Sequence, residues 1–128
     1  MDKQGYNAVS GIILDSALTV HREMGPGLLE TVYQECLACE LEERKIQFET
    51  MVMLPLIYKG NTLNKNYIVD IIVENEIIVE LKAVECLLPV HEAQIISYLK
   101  LSKKKLGLLI NFNVPLLKNG FMRFVNNF

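Results

Sequence analysis

Asp70-Ile71-Ile72-Val73-Glu74-Asn75-Glu76-Ile77-Ile78-Val79-Glu80-Leu81-Lys82 reads as two apolar strands joined by a polar turn, with an acid on the first strand and Glu-Leu-Lys ending the second. Desolvated carboxylates are costly unless they are paired or bound to a metal. A hairpin rich in Ile and Val is therefore an unexpected place to find three charged groups at fixed spacing. In an antiparallel pair turning at Glu74-Asn75, facing residue numbers sum to 149 or 150. At a sum of 150, Asp70 faces Glu80, and the two carboxylates become cross-strand neighbours at roughly 5 Å. Two anions that close repel by about 3 kcal/mol at an effective dielectric near 20. A divalent cation between them turns that conflict into a binding site. Side chains alternate with period two, so Asp70 shares a face with Ile72, and Glu80 with Lys82.

The flanking segments supply the rest of an α/β domain. Val9, Ile12, Ile13, Ala17 and Val20 recur at helical spacing and predict a helix over 8–23, stopped by Gly25-Pro26-Gly27. A second helix is expected over 28–45, with Glu30 in its first turn, where the helix dipole favours an anion. Strands are expected over 48–58, 66–73, 76–84, 106–112 and 121–125, and a third helix over 89–101 with Pro89 at its start. Lys59-Gly60-Asn61 reads as a turn, and Pro55 marks an edge or a bulge. The run 106–112 is almost wholly apolar, which predicts a strand covered on both faces. The order ααβββαββ implies a mixed β-sheet flanked by helices.

A chain of 128 residues with 51% hydrophobic content suffices for one core, so a single domain over 1–128 is expected. Its longest apolar runs are far too short to cross a bilayer. No apolar segment follows a basic start at Met1-Asp2-Lys3-Gln4-Gly5, and Cys36, Cys39 and Cys86 form no even framework. A cytoplasmic protein with reduced thiols and no membrane contact is the reading that follows. The formal net charge of −2 excludes a broadly basic DNA-gripping surface, and the cations that do cluster are Lys100, Lys103, Lys104 and Lys105.

Ligand hardness selects the ion. Carboxylates and carbonyls suit Mg²⁺, or Mn²⁺, whereas thiolates suit zinc. The Leu81 carbonyl is a candidate additional oxygen. Lys82, on the Glu80 side, is placed to orient or deprotonate a water, or to stabilise charge on a phosphate.

With these residues in place, the chain resembles the PD-(D/E)xK nuclease superfamily, and within it the small proteins named for a Gly-x-x-Glu-x-x-Tyr motif, here Gly27-Leu28-Leu29-Glu30-Thr31-Val32-Tyr33. The likeness extends through Tyr67-Ile68-Val69-Asp70, Val79-Glu80-Leu81-Lys82, His91-Glu92-Ala93-Gln94 and Gly107-Leu108-Leu109-Ile110-Asn111-Phe112. It implies a restriction-endonuclease-like core. It implies catalytic roles for Asp70, Glu80 and Lys82, adds Glu30 as a helix-borne acid and metal ligand with Asp70 and Glu80, and adds Gln94 on the following helix. Val69 stands where the superfamily's eponymous proline would be.

Each residue also has a plainer reading. Asp70, Glu80 and Lys82 alone would fit a surface ion network, and Glu30 a helix-dipole charge. Tyr33 is expected to pack against or bond to Glu30. Gln94 and Tyr98 share a helix face, and only Gln94 is assigned a role. His91 and His21 read as structural, and the lysine cluster as a solvated helix end. The function expected is Mg²⁺-dependent hydrolysis of phosphodiesters in nucleic acid, DNA ahead of RNA. The alternative is a non-catalytic nuclease-fold module that binds nucleic acid or a protein partner. A homodimer would supply surface that a chain this small lacks for both DNA backbones.

Overall fold

The computed structural model describes all of residues 1–128. Helices α1 (Lys3–Met24) and α2 (Glu30–Glu43) precede strands β1 (Phe48–Tyr58), β2 (Asn61–Val73) and β3 (Ile77–Lys82). Helix α3 (Pro89–Ser102), strand β4 (Leu106–Asn111), a short 3-10 turn (Leu117–Gly120) and strand β5 (Phe121–Val125) complete the chain. The five strands form one sheet in the order β1-β2-β3-β4-β5. Only β3 and β4 run parallel, and α3 is the crossover between them, as a parallel pair requires. The result is the expected mixed sheet between helical layers.

Boundaries differ from the sequence reading for local reasons. Helix α1 starts at Lys3 because the Asp2 carboxylate accepts from the Gly5 N–H at 2.7 Å, a side-chain N-cap. Helix α2 spans Glu30–Glu43, shorter than expected at both ends. Strand β2 begins at Asn61 because Lys59 and Gly60, both at positive φ, close a tight two-residue turn from β1. Strand β4 is buried at all six positions, as a strand covered on both faces should be.

Two apolar clusters sandwich the sheet. Tyr33, Leu37 and Leu41 of α2 and Ile13, Ala17 and Val20 of α1 pack on Ile71, Val73, Val79, Leu81, Leu108 and Ile110. On the other face, Ile95 and Leu99 of α3 pack on Tyr67, Val69, Ile72, Ile78 and Leu109. A Cβ at Gly107 would lie 2.9 Å from the Ile95 Cδ1, so glycine there admits α3 close to the sheet.

Unbroken alternation, which would set Asp70 on a face with Ile72, does not hold along β1 and β2. Phe48, Ile71 and Val73 pack with the α1–α2 layer, whereas Val52, Leu54, Leu56, Tyr67 and Val69 pack with α3. The phase therefore slips by one residue on both strands. The slip falls at Met51, which has φ +50°, and at Asp70, since pairing passes from Thr50↔Ile71 to Val52↔Val69 without them. On its other side, β2 pairs with β3 only from Val73↔Ile77 to Ile71↔Val79. Asp70 is thus the point at which β2 leaves β3. Irregularities of this kind re-aim a side chain and end a ladder.

Candidate metal and phosphodiester site

The observed pairs Ile71↔Val79, Ile72↔Ile78 and Val73↔Ile77 all sum to 150. The connection carries Glu74 and Asn75 at positive φ, and the Glu76 N–H donates to the Val73 carbonyl. Glu76 is the extra residue that selects 150 over 149. One step beyond the last pair, Asp70 stands level with Glu80, as the spacing predicts. The Asp70 carboxylate turns in the plane of the sheet and accepts from the Leu81 N–H at 2.8 Å. It takes the place of a backbone carbonyl that the departing β2 no longer supplies. The Leu81 carbonyl points to the same side of the strand as its N–H, toward Asp70.

Glu80 is the most heavily buried acid of the site, at 4% exposure, and its Oε1 has no hydrogen-bond partner. Burial is the main reason its pKa is pushed up to about 9. The charge of Asp70 and a side-chain hydrogen bond with it add to the rise, and Lys82 opposes it. At neutral pH the pair therefore holds a proton between its members in the absence of a cation. Glu30 is also raised, first by burial, then by the Asp70 charge, again opposed by Lys82. One ammonium thus acts on two carboxyls from different elements, and Lys82 itself takes part in no ion pair.

Glu30 is presented by a loop that the motif tyrosine holds. Tyr33 is fully buried, and its ring stacks on Phe112 at 4.5 Å with planes 6° apart. Its hydroxyl donates to the Gly25 carbonyl at 2.6 Å and accepts from the Leu28 N–H at 3.1 Å. The expected bond to Glu30 is not made. The Tyr33 hydroxyl instead holds the backbone of the turn that leads into α2, and so serves Glu30 through the main chain. Gly25 and Gly27 take positive φ in this turn, which glycine does at little steric cost.

Helix α3 carries Gln94 and Tyr98 as bonded neighbours one turn apart. The Gln94 Nε2 donates to the Tyr98 hydroxyl at 3.2 Å. Tyr98 is raised by burial and then by the charge of Glu80, with Asp70 a lesser contribution, so its hydroxyl lies near the paired carboxylates. Its ring packs on Tyr67, 4.7 Å between centroids. Sequence reasoning assigned Tyr98 no role, although its i,i+4 spacing from Gln94 was the available signal. Asn111 was missed as well. It is buried at the end of β4, where its Oδ1 accepts from the Val84 and Asn113 N–H groups and its Nδ2 donates to the Val84 carbonyl. That clip fixes the chain as it leaves Lys82. A buried amide ending the apolar run Leu106–Ile110 was the clue.

His91 accepts at Nδ1 from the Leu88 N–H and caps α3, while His21 Nε2 bonds the Val114 carbonyl at 2.8 Å. Both are structural, as expected. All three cysteines are free. No helix is long and apolar enough to cross a membrane. No three of the His, Cys, Asp and Glu side chains converge closely enough to hold a metal ion. The surface has three concavities, and none is lined by Asp70, Glu80 or Lys82.

A mixed five-stranded sheet carrying an acid where one strand diverges and acid-x-Lys on the next defines a nuclease-like α/β fold. A model of the PD-(D/E)XK nuclease superfamily matches residues 7–124, and the chain belongs to that superfamily. No curated protein and no solved structure matches the chain.

Proposed function

We propose that this protein is a Mg²⁺-dependent nuclease that hydrolyses phosphodiester bonds in nucleic acid, DNA in preference to RNA. The observation that carries the proposal is the buried Glu80, with an unpartnered oxygen, held beside the half-buried Asp70. Two carboxylates kept together at this cost, with a carbonyl beside them, fit a hard divalent cation, Mg²⁺ or Mn²⁺. Such an ion would supply Lewis-acid polarisation of a phosphoryl oxygen and a more acidic water. Asp70 and Glu80 would hold it. Lys82, whose charge acts on both Glu80 and Glu30, is suited to orient a water and to offset charge on the phosphate. Glu30, raised by burial, is suited to exchange a proton with that water. Gln94, held by Tyr98, orients water or substrate.

The rival is a nuclease fold used only for binding, and one observation favours it: no three acids converge on an ion. In the nuclease reading Glu30 acts on a water instead of ligating the ion directly. The test is a cleavage screen over single-stranded, duplex and branched DNA and RNA with Mg²⁺ and Mn²⁺. Asp70→Asn and Lys82→Ala should each lower cleavage by about a hundredfold or more. Wild-type protein that binds nucleic acid but cuts none of these substrates would establish the rival.

A further inference from the structure

A second charged region lies at the opposite end of α3. Lys100, Lys103 and Lys105 line a concavity of about 610 Å³ with Asn126 and Asn127, and no apolar side chain contributes to it. Its shape is built by the fold. Lys103 ends α3 in a left-handed conformation, and the Asn126 Nδ2 donates to the Leu99 and Lys104 carbonyls. The Asn126 N–H donates to the Lys105 carbonyl, so the segment after β5 closes one wall. None of the three lysines has an ion-pair partner, because every ion pair in the molecule involves Arg44 or the N-terminal ammonium. The acids of the neighbouring β2–β3 turn are occupied elsewhere: Glu74 accepts from the Gln47 N–H, and Glu76 from the Tyr6 hydroxyl. Lys104 is also spent, donating to the Asn75 carbonyl at 2.9 Å. In a chain of net charge −2, three unneutralised cations share one concavity.

Its distance from the carboxylates follows from the register. Glu80 pairs with Leu109, four residues along the chain from Lys105. At about 3.3 Å per residue that is about 13 Å. Nine residues of α3 separate Gln94 from Lys103, about 14 Å at about 1.5 Å per residue. Both routes agree, and they place the concavity within a few nucleotides of the carboxylates along one strand.

We propose that this concavity is a second nucleic-acid site, which holds backbone phosphates a few nucleotides from the bond at the Asp70–Glu80 pair. The inference rests on the nucleic-acid reading above. A lining of ammonium and amide groups with no apolar side chain recognises phosphate and carries no base preference. Three lysines with no internal partner each release a counterion when they meet a phosphate.

The test compares wild type with the Lys100→Gln/Lys103→Asn/Lys105→Gln variant, binding fluorescently labelled duplex DNA over a range of salt concentrations. Asparagine at 103 tolerates the left-handed backbone. The slope of log K against log salt should fall by about 1 for each lysine removed, equally for unrelated sequences. Melting temperatures report that the variant is folded, and single Lys100→Gln and Lys105→Gln changes, each with its own share of the slope, serve if it is not. An unchanged slope in folded variants overturns the proposal. So does selective displacement of the DNA by inorganic phosphate at matched ionic strength, which would mark a small-anion site. Failure of wild type to bind any nucleic acid overturns both proposals. Binding with the expected loss of slope, but no cleavage of any substrate, upholds this site and removes only the nuclease reading.

Discussion

The two ends of α3 gather ionisable groups of like sign that form no ion pair, and they do so under opposite conditions. At the Gln94 end the charges are carboxylates, and Glu80 is buried with an unpartnered oxygen. At the Lys103 end they are ammonium groups exposed to water. Repulsion in a desolvated site costs several times what it costs at a wet surface. The acidic end is therefore a standing strain that stability alone would not retain, whereas the basic end costs little. The same pattern of unpaired charge is strong evidence of function in one place and needs a binding measurement in the other.

The largest effects that separate the ends are the losses of cleavage in Asp70→Asn and Lys82→Ala; the next concerns the ion. Because Glu80 holds a proton up to about pH 9, a divalent cation must displace it. Affinity for Mg²⁺ should rise by about tenfold per pH unit between pH 6 and pH 8, then level off near pH 9. Calorimetry in buffers of different ionisation enthalpy should show close to one proton released per ion at pH 7. Glu80→Gln should abolish both the release and most of the affinity. Absence of any divalent-ion binding in wild type would remove the basis of the metal site.

Stability offers a smaller and independent reading of the same pair. The Glu80 pKa is raised on folding, so between the ordinary carboxylate range and about pH 9 the folded chain holds a proton that the unfolded chain has lost. Folding stability therefore falls as pH rises through that window. Glu80→Gln keeps the shape and removes the ionisation. It should raise the melting temperature by about 5 °C or more at pH 8.5 without divalent ions, with the gain shrinking toward zero near pH 4. An equal or lower melting temperature at pH 8.5 would show that the pair is not strained. Asp70→Ala should not share the gain, because it strands the Leu81 N–H that the carboxylate now satisfies.

Much of this was legible in the chain. All three helices and five strands were placed, because strong periodicity and Gly or Pro punctuation mark them. The hairpin sum was narrowed to 149 or 150, and only the observed turn, with Glu76 left over, decided between them. The phase slip at Met51 and Asp70 was not legible. A methionine at positive φ is a consequence of tertiary packing, since the outer hairpin must turn its apolar face to α3. The partner of Tyr33 was missed because spacing on a helix reports which side chains are neighbours, not which backbone groups a folded loop returns to them. Asn111 was overlooked because its role depends on a contact with Val84, 27 residues away.

The smallest expected effect tests the claim that the basic end is cheap. Lys100, Lys103 and Lys105 are exposed, unpaired and near the negative end of the α3 dipole, which favours them by tenths of a kcal/mol each. Their mutual repulsion in water is of the same size and opposite sign. The variant with all three neutralised should therefore unfold in urea within about 0.5 kcal/mol of wild type, with any difference vanishing in high salt. A loss several times larger would mean that these lysines hold the C-terminal segment in place. A comparable gain would mean that their repulsion is an unrelieved strain like that at Glu80. Either result would end the contrast between the two ends of the helix.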